Sequence, residues 1–133
     1  MPTKVLDSFA LIAYFRDEPG AEAVENLLVT AGRKDSPLHM TDVNYAEVKY
    51  LIVKKDGAEA WEEAAKILQG LPIDFHSTTR ALADSAADFK ARHKISLADA
   101  FAAALAKEKK AELVTGDQEF KALEKEIKMN WLK

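Results

Sequence analysis

Short apolar runs alternate with longer segments of helical period along this chain. Thr3–Leu6 reads as a brief buried strand, and Ser8–Phe15 follows with helical character until Glu18-Pro19-Gly20 interrupts it. Pro19 is placed to open a second helix through about Ala31, with Ala23, Val24, Leu27 and Leu28 on one face. Ser36–Met40 reads as a second strand. Thr41 or Asp42 then caps a helix that runs to about Lys55. After the Asp56-Gly57 turn, Trp61, Ala64, Ala65 and Leu68 mark a further helix, stopped by Gly70. Pro72–His76 is a third strand, and Thr78 or Thr79 starts a helix ending near the basic segment Lys90–Lys94. Ser96 caps an alanine-rich helix from Leu97 to about Lys109. Glu112–Thr115 is a fourth strand, Asp117–Lys125 a short helix, and Lys128–Leu132 a final edge strand.

Strands alternating with helices predict an α/β fold: one central, mainly parallel sheet flanked by helices on both faces. No linker, internal repeat or low-complexity tract divides the 133 residues, so residues 1–133 read as one domain. Apolar residues make up 48% and charged residues 31%, a globular balance. The longest apolar stretch, Phe9–Phe15, is too short to span a bilayer, and Met1–Lys4 leads straight into the first strand without a signal-peptide pattern. Cysteine is absent, which excludes disulfides and thiolate metal sites and fits a reducing cytoplasm. The formal charge of −3 announces no nucleic-acid binder. Two bound divalent ions would reverse its sign, so net charge does not decide the partner.

Four acids interrupt apolar segments. Asp7 follows Val5-Leu6, Glu47 has Val43, Tyr50 and Leu51 at helical spacing, Asp99 lies within Leu97–Leu105, and Asp117 follows Leu113-Val-Thr-Gly116. A buried, unpaired carboxylate costs several kcal/mol (about 3 or more) or stays protonated, and a shared divalent cation accounts for all four at once. Around Asp99, Ala102, Ala103 and Ala106 let the helix approach the sheet, which turns the carboxylate inward. Asn44 shares the face of Glu47, while Ser8 and Thr115 place hydroxyls beside Asp7 and Asp117. Donors of oxygen alone suit Mg²⁺ or Mn²⁺ rather than zinc. In parallel α/β sheets the site lies at the carboxyl ends of the strands, where Asp7 and Asp117 both fall.

Four segments, Val5–Tyr14 with Glu18-Pro-Gly20, Asn44–Val48, Ile95–Ala106 and Leu113–Phe120, then resemble the PIN-domain nucleases. Within that family they are most similar to the VapC-like toxins of bacterial and archaeal toxin–antitoxin pairs. The resemblance runs from the first strand to the last helix and implies a five-stranded sheet. It also implies Asp7, Glu47, Asp99 and Asp117 as catalytic metal ligands, supported by Ser8 and Thr115. The activity it implies is Mg²⁺- or Mn²⁺-dependent cleavage of single-stranded or looped RNA, leaving a 5′-phosphate. The implied partners are a second copy of the chain and a small antitoxin whose tail reaches into the acidic site.

Other residues read more plainly. Asp117 is also a favourable N-cap, Ser8 is a helix cap or supporting hydroxyl, and Asn44 and Thr115 either support the site or satisfy local backbone. His39, His76 and His93 are scattered and read as structural or surface residues. Lys90, Arg92, His93 and Lys94 complement a helix C-terminus or touch an RNA backbone. Trp61 and Trp131 pack in a core or interface. A phosphoryl-transfer receiver domain would want an acid ending the third strand, where Phe75-His76 stands. A dehalogenase-like phosphatase would want one two residues after Asp7, where Phe9 stands. A binding module with a silent site is the remaining alternative, and the intact acid set argues against it.

Overall fold

The computed structural model describes residues 2–132. Five strands form one sheet: β1 (Lys4–Leu6), β2 (Leu38–Thr41), β3 (Ile73–His76), β4 (Glu112–Thr115) and β5 (Met129–Trp131). All four pairings are parallel, and the spatial order is β3-β2-β1-β4-β5. The chain thus begins at the centre, winds out to β3, and returns to the other side of β1. Such a reversal leaves a crevice beyond the carboxyl ends of β1 and β4, because their connections leave in opposite directions.

The sheet is covered on both faces. Leu6, Leu38, Met40, Ile73 and Val114 pack into one core with helices α1 (Ser8–Arg16), α2 (Ala21–Arg33), α3 (Asp42–Asp56) and α4 (Ala58–Gln69). Val5 and Leu113 point the other way, into a core with α5 (Arg80–Arg92), α6 (Leu97–Lys109) and a 3₁₀ helix over Gln118–Leu123. Period-two alternation within Val5-Leu6 and Leu113-Val114 feeds the two layers, which is why the middle of each strand is apolar on both faces.

Local chemistry sets most boundaries. Thr41, Thr79 and Ser96 accept the first free amides of α3, α5 and α6, and Asp7 does so for α1. The expected start of the second helix at Pro19 is corrected to Ala21. Gly20, with φ of +102°, occupies the capping position, a conformation open to glycine at little cost. The segment after Asp117 is shorter and tighter than the helix expected over residues 117–125. Trp61 lies in the α1–α4 core, whereas Trp131 is half-buried on β5 and donates to Glu124.

Candidate metal centre

Strand β1 carries Asp7 to the carboxyl end of the sheet, where it lies buried and is absent from the cleft lining, its side chain held by what it must satisfy. Its Oδ1 accepts the Ala10 amide at 2.9 Å, which caps α1, and its Oδ2 accepts the Thr115 hydroxyl. The same Thr115 oxygen accepts the Asp117 amide at 2.9 Å. One hydroxyl therefore couples the ends of β1 and β4, and it fixes where Asp117 leaves the sheet. Asp117 in turn caps the 3₁₀ helix by accepting the Glu119 amide at 3.0 Å.

Helix α6 brings Asp99 from the other side. Ser96 accepts its amide at 3.1 Å, and Ala100, Ala102, Ala103, Ala104 and Ala106 are all fully or almost fully buried behind it. Asn44, fully buried on α3, donates to Ser8 Oγ at 3.0 Å and to the Ala98 carbonyl at 3.1 Å, joining α1, α3 and α6. Ser8 is not a cap, since Asp7 takes that role; its hydroxyl donates to the Asn44 carbonyl at 3.3 Å.

Asp99, Asp117 and Glu119 each present a carboxylate oxygen within 4.8 Å of the others. Ser8, Phe9, Glu47, Lys55, Asp99 and Asp117 are among the residues that line the open cleft of about 340 Å³ around them. Burial differs among the acids expected to share the site. Asp7 and Asp99 are buried, but Glu47 and Asp117 are only half-buried, at the rim, so the expectation that all four are enclosed is corrected. Glu119 is the acid that sequence reasoning passed over. Its one signal in the sequence is a second acid two residues after Asp117; the fold brings the two together.

The electrostatics follow from this crowding. Burial raises the Asp7 carboxyl to about 8; hydrogen bonds from Thr115 and Ala10 oppose the rise, and the charges of Asp99 and Asp117 add to it. Burial also raises Asp99 to about 7, reinforced by Asp117, Glu47 and Glu119 against a lowering contact with Ser96. None of the ion pairs among the described residues involves Asp7, Glu47, Asp99, Asp117 or Glu119. An all-carboxylate set that forms no ion pair among the described residues fits a hard divalent cation of the Mg²⁺ or Mn²⁺ type.

The histidines read as scattered are not all apart. His39 Nδ1 and His76 Nε2 lie 2.9 Å from each other across β2 and β3, while His93 and Arg92 both pair with Glu126. That second pairing gives half of the basic cluster before α6 a partner within the fold.

A parallel α/β domain with clustered acids at its topological reversal defines the class: a PIN-like fold with an acidic crevice. The PIN domain model matches residues 4–126, and the chain belongs to that family. Solved structures with the same fold include VapBC2 from Rickettsia felis bound to promoter DNA, at 15% identity and TM-score 0.79, covering 98% of this chain and 99% of that one. VapC20 of Mycobacterium tuberculosis, a toxin that cleaves the sarcin–ricin loop, is 18% identical over 90% of this chain and 94% of its own, with TM-score 0.75. A toxin–antitoxin complex from Klebsiella pneumoniae is 18% identical over 89% and 90%, with TM-score 0.66. No curated protein matches the chain in sequence.

Proposed function

We propose that this chain is a divalent-metal-dependent endoribonuclease and the toxin of a toxin–antitoxin pair. The observation that carries the reading is the convergence of Asp99, Asp117 and Glu119 on one cleft, with Glu47 on its lining, Asp7 buried within reach of their charge, and none of the five in an ion pair among the described residues. Membership of the PIN family and the likeness to toxin structures support it. One copy is proposed to pair with a second, and an antitoxin to cover the crevice with a basic side chain, since unpaired carboxylates attract guanidinium or ammonium groups.

Asp99, Asp117 and Glu119 would hold Mg²⁺ or Mn²⁺, with Glu47 of α3 on the same cleft and Asp7 buried beneath, adding negative charge. Such an ion, when bound, activates water and offsets phosphate charge in phosphodiester hydrolysis. The chain's own groups do the rest. Thr115 and Asp7 fix the Asp117 backbone, and Asn44 locks α1, α3 and α6 at their spacing. Lys55, exposed on the cleft wall, is placed to meet a phosphate of the strand.

Purified protein incubated with mixed cellular RNA tests the reading, with Mg²⁺ or Mn²⁺, with EDTA, and with Asp99→Asn. Metal-dependent cuts that vanish in the variant are expected, and they would also reveal the target RNA. Millimolar Mn²⁺ should raise the melting temperature of the native chain but not of Asp99→Asn, with Asp7→Asn losing most of the gain. RNA left whole, with a melting curve indifferent to Mn²⁺, would leave a silent binding module instead.

A further inference from the structure

Of the large apolar side chains exposed among the described residues, Phe9 alone lines the acidic cleft. It is 41% exposed although it sits in the first turn of α1, immediately after Asp7 and Ser8. Its position is set by Gly116, which links Thr115 to Asp117. A Cβ at residue 116 would lie 2.3 Å from Phe9 Cε1 and 2.8 Å from Cζ, so one edge of the ring occupies the space a side chain there would fill. The ring thus bridges the two strand ends that carry Asp7 and Asp117, and it leaves much of its surface to the cleft. An aromatic ring left 41% open to water beside this site holds apolar surface that is not buried. A ligand with a flat π-face covers that surface on binding.

We propose that Phe9 is the stacking platform for one unpaired nucleobase next to the scissile phosphate. This rests on the nuclease reading and deepens it. The substrate must then present an unstacked base at the cut, which selects single strands and loops over continuous duplex. Stacking tolerates any base, so Phe9 sets strandedness and the register of the cut, while letter preference comes from elsewhere.

The test uses the full chain and short fluorescein-labelled single-stranded RNA. Anisotropy in Ca²⁺ gives affinity and gel analysis in Mg²⁺ gives cleavage. Phe9→Ala and Phe9→Leu are expected to weaken binding about 5- to 140-fold, the span of base–aromatic stacking, while Phe9→Tyr stays close to the native chain. The Mn²⁺-induced rise in melting temperature should persist in all three, which separates loss of the platform from loss of the fold or the metal site. Oligonucleotides with a single abasic position provide the decisive arm. One abasic position should weaken the native chain as much as Phe9→Ala does, and it should add nothing in Phe9→Ala. Native protein that cleaves RNA alongside a Phe9→Leu variant that binds and cleaves equally well would overturn the platform and leave the nuclease standing. Native protein that neither binds nor cleaves RNA would overturn both.

Discussion

At residue scale the site depends on one hydroxyl. Thr115 is fully buried, donates to Asp7 and accepts from the Asp117 amide, so it satisfies a carboxylate on one strand and a backbone donor on the next. Thr115→Val keeps the shape and removes both bonds. A buried polar group left unpaired costs about 1–3 kcal/mol, which for a chain of this size lowers the melting temperature by roughly 4–12 °C. Thr115→Ser, which keeps the oxygen, should melt within a few degrees of the native chain. Thermal melting in EDTA reads the stability term alone, and equal melting of the Val and native proteins would remove Thr115 from the site. Residues of this kind show where sequence reading reaches its end. Asp7, Asp99 and Asp117 announce themselves as charges inside apolar runs. Glu119 follows Asp117 in a polar, exposed turn, and only the tight 3₁₀ geometry brings it to Asp99. The His39–His76 contact depends on the pairing of β2 with β3, a register that no local pattern encodes.

The decisive element is α6. Its run of alanines reads in the sequence as a helix made for close approach, and in the structure Ala100, Ala102, Ala103, Ala104 and Ala106 lie against the sheet and its neighbouring helices with no more than 1% exposure. Small side chains bring the backbone in and carry Asp99 to the strand ends. Ala103, one turn beyond Asp99, is therefore a spacer. Ala103→Leu is expected to destabilise the chain by about 1–3 kcal/mol through overpacking and to shift Asp99 away from Asp117. Its melting temperature should fall, and the increment given by Mn²⁺ should shrink with it. Glu108→Ala, exposed on the same helix, should change neither by more than about 0.5 kcal/mol equivalent. An Ala103→Leu variant with full Mn²⁺ response would show that α6 does not set the spacing. Element order, strand number and most caps were legible for the same reason as α6, because period and capping chemistry are local. The start of α2 was not, because Pro19 and Gly20 both suit a helix entrance. The choice fell to Gly20, which is buried with Leu132 3.2 Å from where its Cβ would be, a contact made only by the folded chain.

For the whole molecule, buried and clustered acids are a standing cost, and pH sets its size. Asp7 and Asp99 titrate near the ordinary 3.8 when unfolded, and burial raises them to about 8 and about 7 in the fold. Below about pH 4 both states are protonated and neither group affects stability. Above that, the unfolded chain gives up its protons while the folded chain keeps them, so the folded state loses up to about 1.4 kcal/mol per pH unit for each group until its folded pKa is passed. In EDTA, the denaturation midpoint should therefore fall from pH 5 to pH 8 and flatten beyond. Asp7→Asn removes the group that titrates highest and should flatten most of the slope between pH 7 and 8. On the proposed function, saturating Mg²⁺ should reverse the trend, since an ion held by the deprotonated carboxylates would stabilise the fold more as protons leave. Chemical denaturation at pH 5, 6.5 and 8, with and without Mg²⁺, measures both slopes. A midpoint that stays level in EDTA across this range would mean that Asp7 and Asp99 are already ionised in the folded chain. Repulsion among the acids would then be relieved by something other than retained protons, and the crevice would have less need of a cation than its carboxylates imply.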